Sequence, residues 1–171
     1  MANRPSFEEY NEYFGRYIDL VPEGNIVEIL EHQLRETDQL FSSLTAEQAD
    51  YRYAEGKWSL KEVLGHIADN ERIMSYRLLR IARGDQTPLP GYDQDILMDG
   101  APFETVTLPD LLAEYTYVRR ATIALLRGLP DEAWTRMGNV AGRESSARAW
   151  AYILAGHELH HVNVIRDKYL A

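Results

Sequence analysis

The sequence predicts an all-α protein arranged as a four-helix bundle, and three observations carry that prediction. Four segments of helical length repeat their apolar residues with a period near 3.6. Each segment is bounded by capping and breaking residues. No stretch alternates apolar and polar side chains in the manner of a strand. With 171 residues, 45% of them apolar, the chain can bury one sizeable core. A single domain over residues 1–171 is expected, with its bundle occupying about 25–170.

Charge and composition narrow the function. Eighteen Lys and Arg stand against 27 Asp and Glu, a formal net charge of −9 with no basic run, so nucleic acid is not an expected partner. The chain has no cysteine, which leaves imidazole and carboxylate as the strong metal donors and is compatible with a reducing cytoplasm. The Met1–Glu9 segment is too polar for a secretory signal, and no apolar run approaches the roughly 20 residues that span a bilayer. The expectation is a cytoplasmic protein that does not enter membranes.

The elements follow in order. Ser6-Phe-Glu-Glu9 is a capping-box pattern opening a short aromatic-rich accessory helix to about Asp19, which Pro22 and Gly24 end. Asn25 caps the first long helix, whose stripe is Ile26, Ile29, Leu30, Leu34, Leu40, Phe41 and Leu44. Gln33 and Thr37 interrupt that stripe, as hydrogen-bonded core residues or as pocket walls. Thr45-Ala-Glu-Gln48 predicts one further turn. Ser59-Leu-Lys-Glu62 is a second capping box and opens a helix to about Arg83, stopped by Gly84, with Leu60, Val63, Leu64, Ile67, Met74, Leu78 and Ile81 on its apolar face. Residues 84–107 carry Gly and Pro without helical period and form the longest loop, expected to cover one end of the bundle. The third helix, about Leu108 to Arg127, places Leu111, Tyr115, Val118, Leu125 and Leu129 on one face with Thr122 among them. Gly128 and Pro130 close it. Ser145 or Ser146 caps the fourth helix, which runs to about Lys168.

The fourth helix holds the chemistry. At about 100° per residue, His157 and His161 fall near the midline of the stripe formed by Trp150, Ile153, Leu154, Val164 and Ile165. Two neutral imidazoles one turn apart in a core are costly unless something shared satisfies them, and a divalent metal does so. His66, at the flank of the second helix's apolar face, is the best-placed third donor. His160 lies about 80° from the stripe centre and is a boundary or outer-layer residue, while His32 belongs to the surface. Glu62, Asp69, Asn70 and Glu158 are near enough in sequence to hold the outer ring nitrogens.

His157-Glu158-Leu159-His160-His161 also satisfies the H-E-x-x-H pattern of zinc peptidases. The extended pattern fails, because Val164 and Asp167 stand where Gly and His are required and ten residues follow His161.

Two stretches together, Lys57-Trp58-Ser59-Leu-Lys-Glu-Val-Leu-Gly65-His66-Ile-Ala-Asp69-Asn-Glu71 and His157-Glu-Leu-His160-His161, resemble the DinB/YfiT-like superfamily of metalloenzymes over roughly residues 25–170. The resemblance implies His66, His157 and His161 as ligands of zinc or nickel within a four-helix bundle that is often a homodimer. Characterised relatives include thiol-dependent S-transferases and a mycothiol-dependent isomerase. Many relatives continue past the last histidine with Arg-Gly-Gln, where this chain has Val162-Asn163-Val164.

The expected function is therefore metal-dependent activation of water or of a low-molecular-weight thiol toward a small-molecule substrate, as a hydrolase or an S-transferase. Glu158 or Asp69 would carry protons, and Gln33, Thr37, Tyr115 and Thr122 would wall the pocket. The alternative is a non-catalytic module whose metal is structural and whose Phe7, Tyr10, Tyr13, Phe14 and Tyr17 dock a partner or a second copy. A fourth protein ligand such as His160 would favour that alternative.

Overall fold

Asn25, Ser59, Thr107 and Ser146 each stand in extended backbone one residue ahead of a long helix. Each side chain accepts a backbone N–H from that helix's first turn. In the computed structural model, which describes residues 3–170, these caps open the four long helices. Met1, Ala2 and Ala171, the outermost positions of the expected domain, lie outside the described residues. In chain order the helices are α1 (Gly15–Ile18), α2 (Ile26–Ser42), α3 (Ala46–Asp50), α4 (Leu60–Ala82), α5 (Gln94–Asp99), α6 (Leu108–Arg127) and α7 (Ala147–Val164). A two-stranded antiparallel hairpin, β1 (Met137–Val140) and β2 (Arg143–Ser146), precedes α7. α7 continues through a wider π-helical turn at Ile165–Tyr169.

The core forms two apolar clusters, and their membership sets the direction of each helix. One cluster takes Ile26 and Leu30 of α2, Met74 to Ala82 of α4, Ile123 and Leu126 of α6, Ala147 to Ala155 of α7 and Val140 of the hairpin. The other takes Phe41, Leu60 to Ala68, Leu111 to Tyr115 and Ile165. α2 and α7 therefore run from the first cluster to the second, while α4 and α6 run the opposite way. Two helices that run alike cannot be joined by a tight turn, so the α4–α6 connection must travel the length of the bundle. That corrects the expected cover over one end. Leu89 is buried in the first cluster and Phe103 in the second. Helix α5 lies on this crossover, where no helix is expected from the sequence because six residues are too few to show a period.

The hairpin is a second departure. Its strands have four residues each, too short for alternation to register, and its turn uses Ala141 and Gly142, both at positive φ (52° and 79°). Asn139 Oδ1 accepts the Gly142 N–H at 3.0 Å and so holds the turn closed. Leu89 pairs with the adjoining edge through Leu89 N–H to Asn139 O (2.9 Å) and Ala141 N–H to Leu89 O (2.8 Å), which anchors the crossover.

The N-terminal segment folds onto the bundle as two 3₁₀ turns and α1 instead of one continuous helix. A Cβ on Gly156 would stand 1.9 Å from Tyr17 O, so only glycine lets α1 reach α7. Tyr10 and Tyr17 are buried and Phe14 packs edge-on to Trp150, while Phe7 and Tyr13 remain exposed. Most of the aromatic segment proposed as a partner dock is thus spent on its own bundle.

A polar layer separates the two clusters. Arg119, fully buried, donates from Nε to both Glu71 carboxylate oxygens at 2.9 Å, from Nη2 to Glu71 and Glu158, and from Nη1 to Gln33 Oε1 at 3.3 Å. Glu158 also accepts from Thr37 Oγ1 (2.5 Å) and Tyr115 OH (2.7 Å), and Gln33 Nε2 donates to Ala155 O (2.9 Å). Burial works against the guanidinium charge, but Glu158 and Glu71 outweigh it and hold Arg119 well above its ordinary pKa. Removing the cation leaves two buried carboxylates uncompensated. Arg119→Met is expected to cost about 3–5 kcal/mol in urea unfolding, and a loss below about 1 kcal/mol would show the layer to be dispensable.

Candidate metal centre

His66 and Asn70 lie one turn apart on α4, and His157 and His161 one turn apart on α7, so two antiparallel helices each present a stacked pair to the space between them. His66 Nε2 is 3.1 Å from His157 Nε2, and His161 Nε2 is 3.2 Å from the same atom. All three ligand nitrogens fall within 4.8 Å of one another. Asn70 Nδ2 adds a contact of 3.1 Å to His157 Nε2, and Tyr92 OH donates to Asn70 Oδ1 at 2.8 Å. Trp58 packs on the His66 ring (4.8 Å between centroids), and Tyr17 meets His157 edge-on at 5.4 Å.

This convergence tests the fit of a metal. A ring nitrogen offers one in-plane lone pair or one proton, yet three partners crowd His157 Nε2 within hydrogen-bond distance. Hydrogen bonding cannot satisfy all of them. Two nitrogens bound at about 2.0–2.1 Å to one tetrahedral ion stand about 3.3 Å apart, close to the separations found here. Burial pushes the His66 imidazole down to about 4 and that of His161 to about 3, with His66 and His160 adding to the latter. It holds His157 well below its ordinary value. The rings are therefore neutral at pH 7, the form that ligates.

The other residues singled out from sequence fall elsewhere. His160 is exposed and outside the three-nitrogen cluster, its ring 5.6 Å from Tyr17 and 5.1 Å from His161. Asp69 is half-buried and paired with Arg72 at 3.0 Å. Glu158 turns away from the imidazoles into the Arg119 layer, so both carboxylates expected to carry protons are engaged by arginines. The same orientation removes the peptidase reading, which needs that glutamate on the metal side. Gln33, Thr37 and Tyr115 are not pocket walls but members of the buried layer. Thr122 is buried with its hydroxyl donated to Val118 O at 3.2 Å. Glu62 is held by Arg52 and by the Ser59 N–H, not by an imidazole.

Sequence reasoning missed Tyr92, which no local pattern marks, and it missed the Arg119–Glu71 pair. The pair had a signal. Arg119 follows Tyr115 by four residues and Glu71 follows Ile67 by four, so both are charges at stripe positions that demand a buried partner.

Four long helices around a cluster of three histidine nitrogens define a helical bundle with a constellation that could hold a metal ion. The chain belongs to the DinB superfamily, whose family model matches residues 29–165. It is 30% identical over 83 residues to a "putative metal-dependent hydrolase" of Oceanobacillus iheyensis, covering 44% of this chain and 47% of that protein. It is 26% identical over 111 residues to the "putative metal-dependent hydrolase" YfiT of Bacillus subtilis, covering 64% of this chain and 62% of YfiT. The chain thus spans about half to three-fifths of the length of the curated relatives it matches. The solved YfiT structure, described as having an unusual four-helix bundle topology, superposes with a TM-score of 0.71 at 21% identity over 95% of this chain and 89% of YfiT. A mycothiol-dependent maleylpyruvate isomerase superposes with a TM-score of 0.68 at 15% identity, over 85% and 61%. Among the described residues no helix is long and apolar enough to cross a membrane.

The depressed imidazoles set a pH dependence. An unfolded chain takes up protons at these rings below about pH 6.5, whereas the folded protein does not until about pH 4 at His66. The unfolded state binds more protons in that window, so the metal-free protein loses stability as pH falls from 6.5 toward 4. Urea midpoints in chelator are expected to decline from pH 7.5 to 5, and less so in His66→Asn. Parallel flat profiles would contradict burial of neutral rings.

Proposed function

We propose that this protein is a metal-dependent enzyme acting on a small molecule, with His66, His157 and His161 holding a divalent cation, zinc or nickel. The observation that carries the reading is the convergence of three neutral Nε2 atoms with no fourth imidazole or carboxylate in the cluster. Closed structural zinc sites have four protein ligands, and a catalytic site keeps a position open. Imidazole donors suit both zinc and nickel. A cation held there supplies an activated water or thiol at neutral pH.

The residues of the chain do the rest. Trp58 and Tyr17 fix the His66 and His157 rings by packing, and burial keeps those rings unprotonated. The names of the two curated relatives support hydrolysis. One observation favours thiol-dependent transfer as a second reading: Asp69 and Glu158, the acids nearest the histidines in sequence, are both engaged by arginines. A thiol that ionises on a cation needs no such base.

Elemental analysis of tag-free protein tests the centre. One equivalent of zinc or nickel is expected in the wild type, with at least tenfold less in His66→Ala and His161→Ala. Glu158→Gln is expected to retain metal while losing stability. Unchanged metal in both histidine variants would reject the centre. Turnover of model esters and of electrophiles, with and without small thiols, separates the two reaction types.

A further inference from the structure

A cavity of about 330 Å³ adjoins the three-histidine cluster, lined by Tyr53, Lys57, Trp58, His160, His161 and Tyr169 among others. His66 and His157 are each only 4% exposed, whereas His161 is partly open, and this cavity shares its wall. A larger cavity of about 580 Å³ near Phe41 and Leu112 shares no residue with the cluster, and its Lys61 is paired with Asp50 at 2.8 Å. The smaller cavity is therefore the one next to the chemistry, and its volume suits one small molecule.

Its chemistry is unlike that of the chain as a whole. No carboxylate lines it, although the chain carries 27 acidic residues against 18 basic ones. Lys57 has no ion pair among the described residues. The neighbouring Glu62 is already neutralised by Arg52. The Lys57 backbone is fixed, its N–H donating to Ala54 O at 3.2 Å and its carbonyl accepting from Arg52 Nη1 at 2.8 Å. The cavity walls mix polar and apolar surface, and three aromatic rings supply the flat part: Tyr53 meets Tyr169 edge-on at 4.8 Å, and Tyr169 OH donates to Trp58 O at 2.6 Å, which ties the far end of α7 to the turn before α4. The exposed His160 adds a hydrogen-bonding ring at the rim.

We propose that this cavity is the substrate subsite of the centre and that it selects a small carboxylate with a flat apolar body, Lys57 meeting the carboxylate and Trp58, Tyr53 and Tyr169 the body. The proposal rests on the three-histidine reading for its link to catalysis, but the subsite itself is built from other residues. A lysine ammonium and an aromatic wall discriminate an anion from its neutral isostere by charge and accept the shared ring equally.

Calorimetric titration of the metal-loaded protein with benzoate and with the isosteric neutral benzamide tests it, with metal content measured on every sample. Benzoate is expected to bind at least fivefold more tightly than benzamide and to quench tryptophan fluorescence, the quench being lost in Trp58→Phe. Lys57→Gln is expected to bring benzoate to the benzamide level with metal content unchanged. Equal binding of the two probes, no binding of either, or benzoate affinity untouched by Lys57→Gln would overturn the subsite, whether or not metal is present. Lys57-dependent preference for benzoate that survives in His66→Ala would uphold the subsite, and elemental analysis would judge the centre separately.

Discussion

The Arg119 guanidinium, buried with no exposed surface, is the constraint on which the bundle is built. A cation taken out of water must meet anions and donors in fixed positions, and the cost of leaving it unmet is larger than that of any single apolar contact. Glu71 comes from α4, Glu158 from α7, Gln33 and Thr37 from α2, and Tyr115 from the same helix as Arg119. Each of the four long helices therefore contributes to one polar layer, and none can slide by a residue without stranding a charge. Two apolar clusters supply burial on either side, but apolar packing alone tolerates register shifts that this layer does not.

The layer also sets the three-histidine constellation. Asn70 and Glu71 are consecutive on α4, as are His157 and Glu158 on α7. On a helix, neighbours point about 100° apart. When Glu71 and Glu158 are drawn to Arg119, Asn70 and His157 are turned to the adjoining face, where His66 and His161 follow one turn away. The glutamate inside the H-E-x-x-H string is thus a structural anion, and the string has a different meaning here from the one it has in a peptidase. The same four-residue spacing here brings two imidazoles to one face while the glutamate between them is redirected to the core.

Helix boundaries and the three histidines were legible in sequence because their signals are local. Caps at Asn25, Ser59 and Ser146 sit next to the residues they cap, and the spacing of His157 and His161 is a property of one helix. Helix α5 and the hairpin escaped because six and four residues carry too little period. The crossover direction escaped because it depends on which apolar stripe meets which cluster. Gln33 and Thr37 were recognisable as anomalies in a stripe, but whether they faced a pocket or a cation depended on Arg119, some 80 residues further along the chain.

By itself the sequence determined the all-helical class, the four long elements, the lack of cysteine donors and the identity of the imidazoles that share a face, since periodicity, composition and capping are readable residue by residue. Only the tertiary structure decided that His66 Nε2 stands 3.1 Å from His157 Nε2, that Glu158 and Asp69 are engaged elsewhere, and that Lys57 and an aromatic wall border His161. The physical reason is that side-chain partnership across helices is settled by where a buried charge can be neutralised, and that is a property of the assembled core.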